Sequence, residues 1–179
     1  MSFNFKLHGK LDVSPIKERL IELDWEDYQF RQKTYSDHSK TKTVPLMWDE
    51  DKLAVKYYKD YELFKFDLEF IEGLLIGALG EGKIETAILI NLPKKEKIKS
   101  HYDVGEYFGK RNRIHIPIIT NRDCIFQIDG ELKNMKEGEI WEINNNEKKH
   151  SVENNGTEDR IHLLIDFLPK TEQSKKTLI

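Results

Sequence analysis

The 179-residue sequence predicts a mainly β fold, an antiparallel sandwich or jelly roll with helices ahead of it. Three observations carry that expectation. Between Lys83 and Leu168 the turn signals LPKK, TNRD, IDGE, MKEGE, INNNE and ENNGT recur at intervals of roughly ten residues. Within that region RNRIHIPI and DRIHLLIDF alternate in character from one side chain to the next. Before residue 83 the period changes to helical stripes separated by an aperiodic stretch.

Taken in order, Ser14 followed by Pro15 reads as an N-cap with proline at the first helical position. Ile16, Leu20, Ile21 and Leu23 then form an apolar stripe through Leu23. A second helix is expected from Asp67 to Leu79, with Leu68, Ile71, Leu75 and Leu79 on one side and Gly80 ending it. Residues 25 to 60, aromatic and polar without clean period, read as loops and short strands folded over a site. In the β region Arg113, His115 and Pro117 alternate with Ile114, Ile116 and Ile118. Arg160, His162, Leu164 and Asp166 likewise alternate with Ile161, Leu163, Ile165 and Phe167. Each strand is therefore apolar on one face and largely basic on the other. The basic face either meets water or lines an interior; the pattern allows both. The tail over 171–179 is polar and expected to fray.

Composition bounds the rest. A chain of this length is expected to form one domain over residues 1–170, a helical and loop part over 1–82 and a β core over 83–168. A net charge of −3 from mixed signs leaves no basic footprint for nucleic acid. Cys124 is the sole cysteine, so an internal disulfide is excluded, and its neighbours Ile125 and Phe126 suggest a buried thiol. The start MSFNFKLHGK has no apolar run of signal-peptide length, and LLIGALG is too short to span a bilayer. A cytoplasmic protein without membrane attachment is the expectation.

The chemistry-bearing pattern is His101 and Asp103 in IKSHYD, His150 in KKHSVENNGTEDR, and Arg160 ten residues on. His-x-Asp alone is a weak signal; the spacing gives it weight. In an extended segment His101 and Asp103 point the same way and can reach one ion. With His150 they would occupy one face of an octahedral Fe(II) and leave the opposite face open, as in non-haem iron oxygenases. A hairpin centred on Asn155, with Asn154-Asn155-Gly156 as turn residues, would set His150 opposite Arg160 at roughly 5 Å between Cβ atoms. Planar, permanently charged arginine suits the far carboxylate of a dicarboxylate cosubstrate. With one thiol, a thiolate zinc site is disfavoured.

These elements, together with the RIHIPI strand, KEGEIWEIN before KKH, and HSVENNGTEDRIHLLIDF, resemble the aspartyl/asparaginyl β-hydroxylase family, including its bacterial proline-hydroxylase-like members. FKLHGKLDVSPIKERL and RQKTYSDHSKTKTVPLMW also look like N-terminal segments of that family. The resemblance implies a double-stranded β-helix, a cupin-like jelly roll, with N-terminal helices packed on it. It implies Fe(II) as the metal, with 2-oxoglutarate and O2 as cosubstrates. By position, His101 and His150 would be iron ligands and Arg160 would pair with the distal carboxylate of 2-oxoglutarate. His115 would touch the cosubstrate near the metal, and Arg113 would hold a substrate or cosubstrate carboxylate. Asp103 leans the reading toward a complete triad and a small substrate. The chain departs from the family where a hydroxyl residue is usual before the first histidine: it has Leu89, Ile90 and Asn91.

Other residues carry competing readings. His38 lies in a polar loop and either contacts substrate or faces solvent; His8 is structural or exposed. His162 reads as a satisfied core histidine, Trp141 as core packing, and Asn144 to Asn146 as a turn that positions His150. The expected activity is hydroxylation of an unactivated C–H bond in a carboxylate-bearing substrate, a free amino acid such as proline or an Asp/Asn side chain in a peptide, with succinate and CO2 as coproducts. The competing class is a non-catalytic cupin-like domain that binds a metal or small acid; a cupin-class isomerase or dioxygenase independent of 2-oxoglutarate is a third.

Overall fold

The computed structural model describes residues 3–34, 36–49 and 54–173. The chain opens with β1 (Phe5–Lys10) and α1 (Ser14–Arg19), continued by a 3-10 turn over Leu20–Glu22. It proceeds through α2 (Phe30–Thr34), a 3-10 turn at Ser36–His38, β2 (Lys42–Trp48), β3 (Lys56–Tyr57) and α3 (Tyr61–Leu79). Next come β4 (Gly82–Leu92), β5 (Lys97–His101), α4 (Glu106–Gly109), β6 (Asn112–Ile119) and β7 (Cys124–Ile128). The chain then forms β8 (Glu131–Lys133), β9 (Glu139–Ile143), β10 (His150–Asn154), β11 (Arg160–Pro169) and α5 (Lys170–Gln173).

Two antiparallel sheets result, a seven-stranded one in the order β1-β9-β6-β11-β4-β2-β3 and a four-stranded one in the order β5-β10-β7-β8. This is the expected jelly roll. The large sheet explains the alternation in β6 and β11. Ile114, Ile116, Ile118, Ile161, Leu163, Ile165 and Phe167 pack with Ile16 and Leu20 and with Phe64, Leu68, Ile71 and Leu75 of α3. Burying such a face contributes about 25 cal/mol per Å² of apolar area removed from water. The opposite face, with Arg113, His115, Arg160, His162 and Asp166, is buried too and turns toward the small sheet. Of the two readings left open by the pattern, the interior one holds.

Several local expectations shift. Ser14 is the first helical residue rather than the cap; Val13 holds the cap position, and Asp12 Oδ1 accepts from the Ser14 N–H at 2.9 Å. Ile21 leaves the apolar stripe and is 90 % exposed. The tighter winding of Leu20–Glu22 rotates it outward while Leu20 and Leu23 stay buried. Helix α3 begins at Tyr61 instead of Asp67, because Phe64 extends the stripe one i,i+4 step back from Leu68. It ends as expected at Gly80, whose φ of 88° directs its N–H to the Ile76 carbonyl at 2.9 Å. The 25–60 stretch contains a full strand, β2, hydrogen-bonded to β4 in the large sheet. At the far end Lys170–Gln173 is helical, and 174–179 lie outside the described residues.

The most consequential correction concerns the expected hairpin. β10 pairs with β5 and β7, whereas β11 pairs with β4 and β6, so His150 and Arg160 are not cross-strand neighbours. The loop between them crosses from the small sheet to the large one. Asn154, completely buried, fixes the crossing. Its Nδ2 donates to the carbonyls of Leu92, Pro93 and Glu158, and its Oδ1 accepts from Asn121 Nδ2, Cys124 Sγ and the Gly156 N–H. A short polar turn sequence looks the same to a reader whether it closes a hairpin or bridges two sheets. Among the described residues no helix is long and apolar enough to cross a membrane.

Candidate functional site

His101 ends β5 and His150 begins β10, and the two are register partners in the small sheet. Their ring centroids lie 4.3 Å apart. Asp103, just beyond β5, is held by backbone and side chain together. Its N–H donates to the Asn145 carbonyl at 3.1 Å, and Asn145 Nδ2 donates to its Oδ2 at 2.9 Å. Asp103 Oδ1 lies 3.7 Å from His101 Nε2, and Oδ2 lies 3.4 Å from His150 Nε2. One ligand atom from each of the three residues lies within 4.8 Å of the others. No other such cluster of histidine, cysteine or carboxylate residues occurs among the described residues.

The surroundings prepare these groups as ligands. The His101 Nδ1–H donates to the Lys99 carbonyl at 2.7 Å, which leaves the Nε2 lone pair facing Asp103. Burial pushes His150 down to about 4, against the opposing pull of the Asp103 carboxylate, so its ring is neutral at neutral pH. Burial works to raise Asp103, but Arg113, His150 and the Asn145 bond together hold it well below the usual carboxylate range. Two imidazoles and an ionised carboxylate form the donor set that a divalent iron takes.

Across the gap, the large sheet supplies the cations. Arg113 on β6 faces its register partner Asp166 on β11; Nε and Nη2 each donate to one carboxylate oxygen at 2.8 Å. Its Nη1 donates to Asp103 Oδ2 at 2.5 Å. Arg160, at the start of β11, is 2 % exposed and has no acidic partner among the described residues. Its Nη2 donates to His162 Nδ1 at 2.7 Å, and burial pushes its guanidinium down to about 10. His115 Nδ1 and His162 Nε2 are buried beside it without a hydrogen-bond partner. A buried cation beside two orphaned ring nitrogens is unfavourable unless an anion joins them.

Two connected spaces meet at the triad. An outer chamber of about 410 Å³ is lined by His101, Asp103 and Arg113 and by Arg31, His38, Trp48, Asp49 and Tyr107. An inner recess of about 30 Å³ runs past His150, His115 and Phe126 to Arg160. His38 sits over His101 with ring centroids 5.2 Å apart. Burial first, then Arg31 and His101, push it down to about 2. All seven residues singled out in the sequence thus border one of the two spaces. Sequence reasoning missed Asp166 as the partner of Arg113, Asn145 as the partner of Asp103, and the chamber wall formed by Arg31, Trp48 and Asp49. The period-2 pattern does place Asp166 on the face of Arg160; only the register of β6 against β11 names its partner. Where a hydroxyl was expected, Ile90 lines the recess, Leu89 packs in the helix-side core, and Asn91 donates to Asp159.

Family comparison matches this arrangement. The model for aspartyl/asparaginyl β-hydroxylases matches residues 14–169. The chain belongs to the aspartyl/asparaginyl β-hydroxylase family. Within this family it is a hydroxylase of the Fe(II)- and 2-oxoglutarate-dependent class, and its triad and its buried Arg160 fit those two groups. Three solved structures share the fold of this family member. A prolyl hydroxylase from Trichoplax adhaerens, in complex with a hypoxia inducible factor oxygen degradation domain peptide fragment, is 10% identical with a TM-score of 0.66 over 97% of this chain and 87% of its own. A Pseudomonas putida prolyl-4-hydroxylase is 10% identical at a TM-score of 0.57 over 94% of each chain. A 2OG-Fe(II) oxygenase family oxidoreductase from Burkholderia pseudomallei is 12% identical at 0.56, over 89% of this chain and 91% of its own.

Proposed function

We propose that this protein hydroxylates an unactivated C–H bond of a small carboxylate-bearing molecule, with 2-oxoglutarate converted to succinate and CO2. The observation that carries this reading is Arg160, a buried cation without an acidic partner among the described residues, facing the triad across a recess. His101, Asp103 and His150 would hold Fe(II), and Arg160 would take the distal carboxylate of 2-oxoglutarate, with His115 alongside. When bound, these groups supply the oxidising power through O2.

The chain's own residues do the rest. Lys99 fixes the tautomer of His101. Asn145 and Arg113 both bind Asp103 Oδ2, which leaves Oδ1 without a hydrogen-bond donor and available to a metal. Arg113 has its charge matched by two carboxylates, so in our reading it positions Asp103. Arg31 on the chamber wall is then the cation that faces a substrate carboxylate. Ile90, Ile98, Val152 and Leu164 keep the recess apolar and exclude water. At about 30 Å³ the recess admits a dicarboxylate only as the side chains of its walls move apart.

The test is substrate-stimulated succinate formation, run with His150→Ala alongside. The variant should lose turnover and the visible band that Fe(II) and 2-oxoglutarate give together under argon. Turnover retained by His150→Ala would remove it from the ligand set.

A further inference from the structure

We propose that Asp49 anchors a positively charged nitrogen of the substrate, so that the molecule hydroxylated here carries a free amine as well as a carboxylate. This rests on the oxygenase reading of the chamber and names the class of molecule it accepts.

Among the described residues, three carboxylates line the outer chamber: Asp49, Asp103 and Asp166. Asp103 and Asp166 are both tied to Arg113. Asp49 is 4 % exposed, its Oδ1 is sealed from solvent, and that atom accepts no hydrogen bond. Among the described residues no lysine, arginine or histidine pairs with it. A carboxylate oxygen taken out of water without a donor is unfavourable, and proteins keep such groups where a ligand completes them. The backbone placing Asp49 is fixed, because β2 ends at Trp48 with Leu46 fully buried and Met47 paired to Ala87 of β4.

The neighbours narrow the ligand. Trp48 lines the same chamber, and an indole face attracts a cation. An ammonium brings both the charge and the N–H donors that Oδ1 lacks; a peptide amide brings a donor without charge and leaves the carboxylate uncompensated. Arg31 on the same wall offers the opposite charge to a carboxylate. A chamber of about 410 Å³ presenting an anion and a cation suits a free amino or imino acid. The amine would be held on the wall formed by β2, while the carbon skeleton extends toward His101 and Asp103.

The experiment compares the free protein amino acids with their Nα-acetyl derivatives as stimulators of succinate formation, in the wild type and in Asp49→Asn. Free amino acids should stimulate and acetylated ones should not. Asp49→Asn should raise KM for the stimulating amino acid by about 10-fold or more, well beyond any change in KM for 2-oxoglutarate. Melting of ligand-free Asp49→Asn should match or exceed wild type, since a buried unpaired charge is removed; a purely structural Asp49 would lower it. Equal stimulation by acetylated compounds, an unchanged KM in the variant, or no stimulation across the panel by a protein that does form succinate on its own would overturn the assignment. Succinate formed slowly without any amino acid reports on the oxygenase reading separately. If that is absent too, calorimetric titration of the same panel into both proteins decides Asp49: amine binding lost in the variant supports it, and equal or no binding overturns it.

Discussion

Arg113 Nη1 donates to Asp103 Oδ2 at 2.5 Å while the other edge of the same guanidinium is gripped by Asp166. The carboxylate of the metal triad is therefore aimed by an arginine on the opposite sheet, and that arginine is aimed by its strand neighbour. Burial disfavours the charge on Arg113, but Asp166 and Asp103 more than offset it.

Asp166→Asn should therefore act on the metal from a distance. It leaves Arg113 with one carboxylate, which draws the guanidinium harder onto Asp103 and away from its present angle. Partners of metal ligands typically cost about 10–100-fold in affinity when altered. Titration with Co(II) should show a loss in that range, and affinity equal to wild type would remove Asp166 from the support of the site.

Arg160→Met separates binding from folding. The methionine is similar in length, removes a buried charge that has no acidic partner among the described residues, and should leave ligand-free stability equal or higher. The same change removes the guanidinium at the inner end of the recess, so KM for 2-oxoglutarate should rise by about 100-fold. A large stability loss with an unchanged KM would reverse the role assigned to Arg160.

Much of this was legible in the sequence because it depends on local period. The two-residue alternation in RIHIPI and RIHLLIDF sorts isoleucines to the helices and basic residues to the interior, and the structure follows it side chain by side chain. The triad was legible because His101 and Asp103 lie two apart on one extended segment. What could not be read depends on pairing. Nothing in DRIHLLIDF says that Asp166 meets Arg113, nor does ENNGTED say whether its strands pair or part. Asp49 escaped notice because no repeating pattern marks a carboxylate just past a strand; only its burial without a donor does.

Acid should destabilise the metal-free protein in a definite window. His150 is pushed down to about 4 and His38 to about 2, while burial holds His115 and His162 well below their ordinary 6.5. Each binds its proton more weakly folded than unfolded, so the unfolded chain takes up more protons as pH drops below about 6.5. Stability is full above that value, declines down to about 4 for His150, and continues toward about 2 for His38. At about pH 5 one such histidine accounts for roughly 2 kcal/mol, which for a chain of this size lowers Tm by about 5 °C. Melting curves that do not move between neutral pH and that point would show that these rings are not held neutral by the fold.

Asn154 offers the sharpest test of the crossing between sheets. Its amide satisfies three carbonyls and three donors with no exposure, linking the end of the strand that carries His150 to the loop that delivers Arg160. Asn154→Ala would strand the carbonyls of Leu92, Pro93 and Glu158 in a dry environment, at a cost of about 3 kcal/mol or more in urea unfolding. Asn155→Ala, one residue on and exposed, should change stability by less than about 0.5 kcal/mol. A tight turn centred on Asn155 would give the opposite ranking, because its backbone would then need the left-handed tolerance of asparagine. The ratio of the two effects thus distinguishes a bridge between sheets from a hairpin, and KM for 2-oxoglutarate should rise only in the Asn154 variant, as Arg160 loses its fixed approach to the recess.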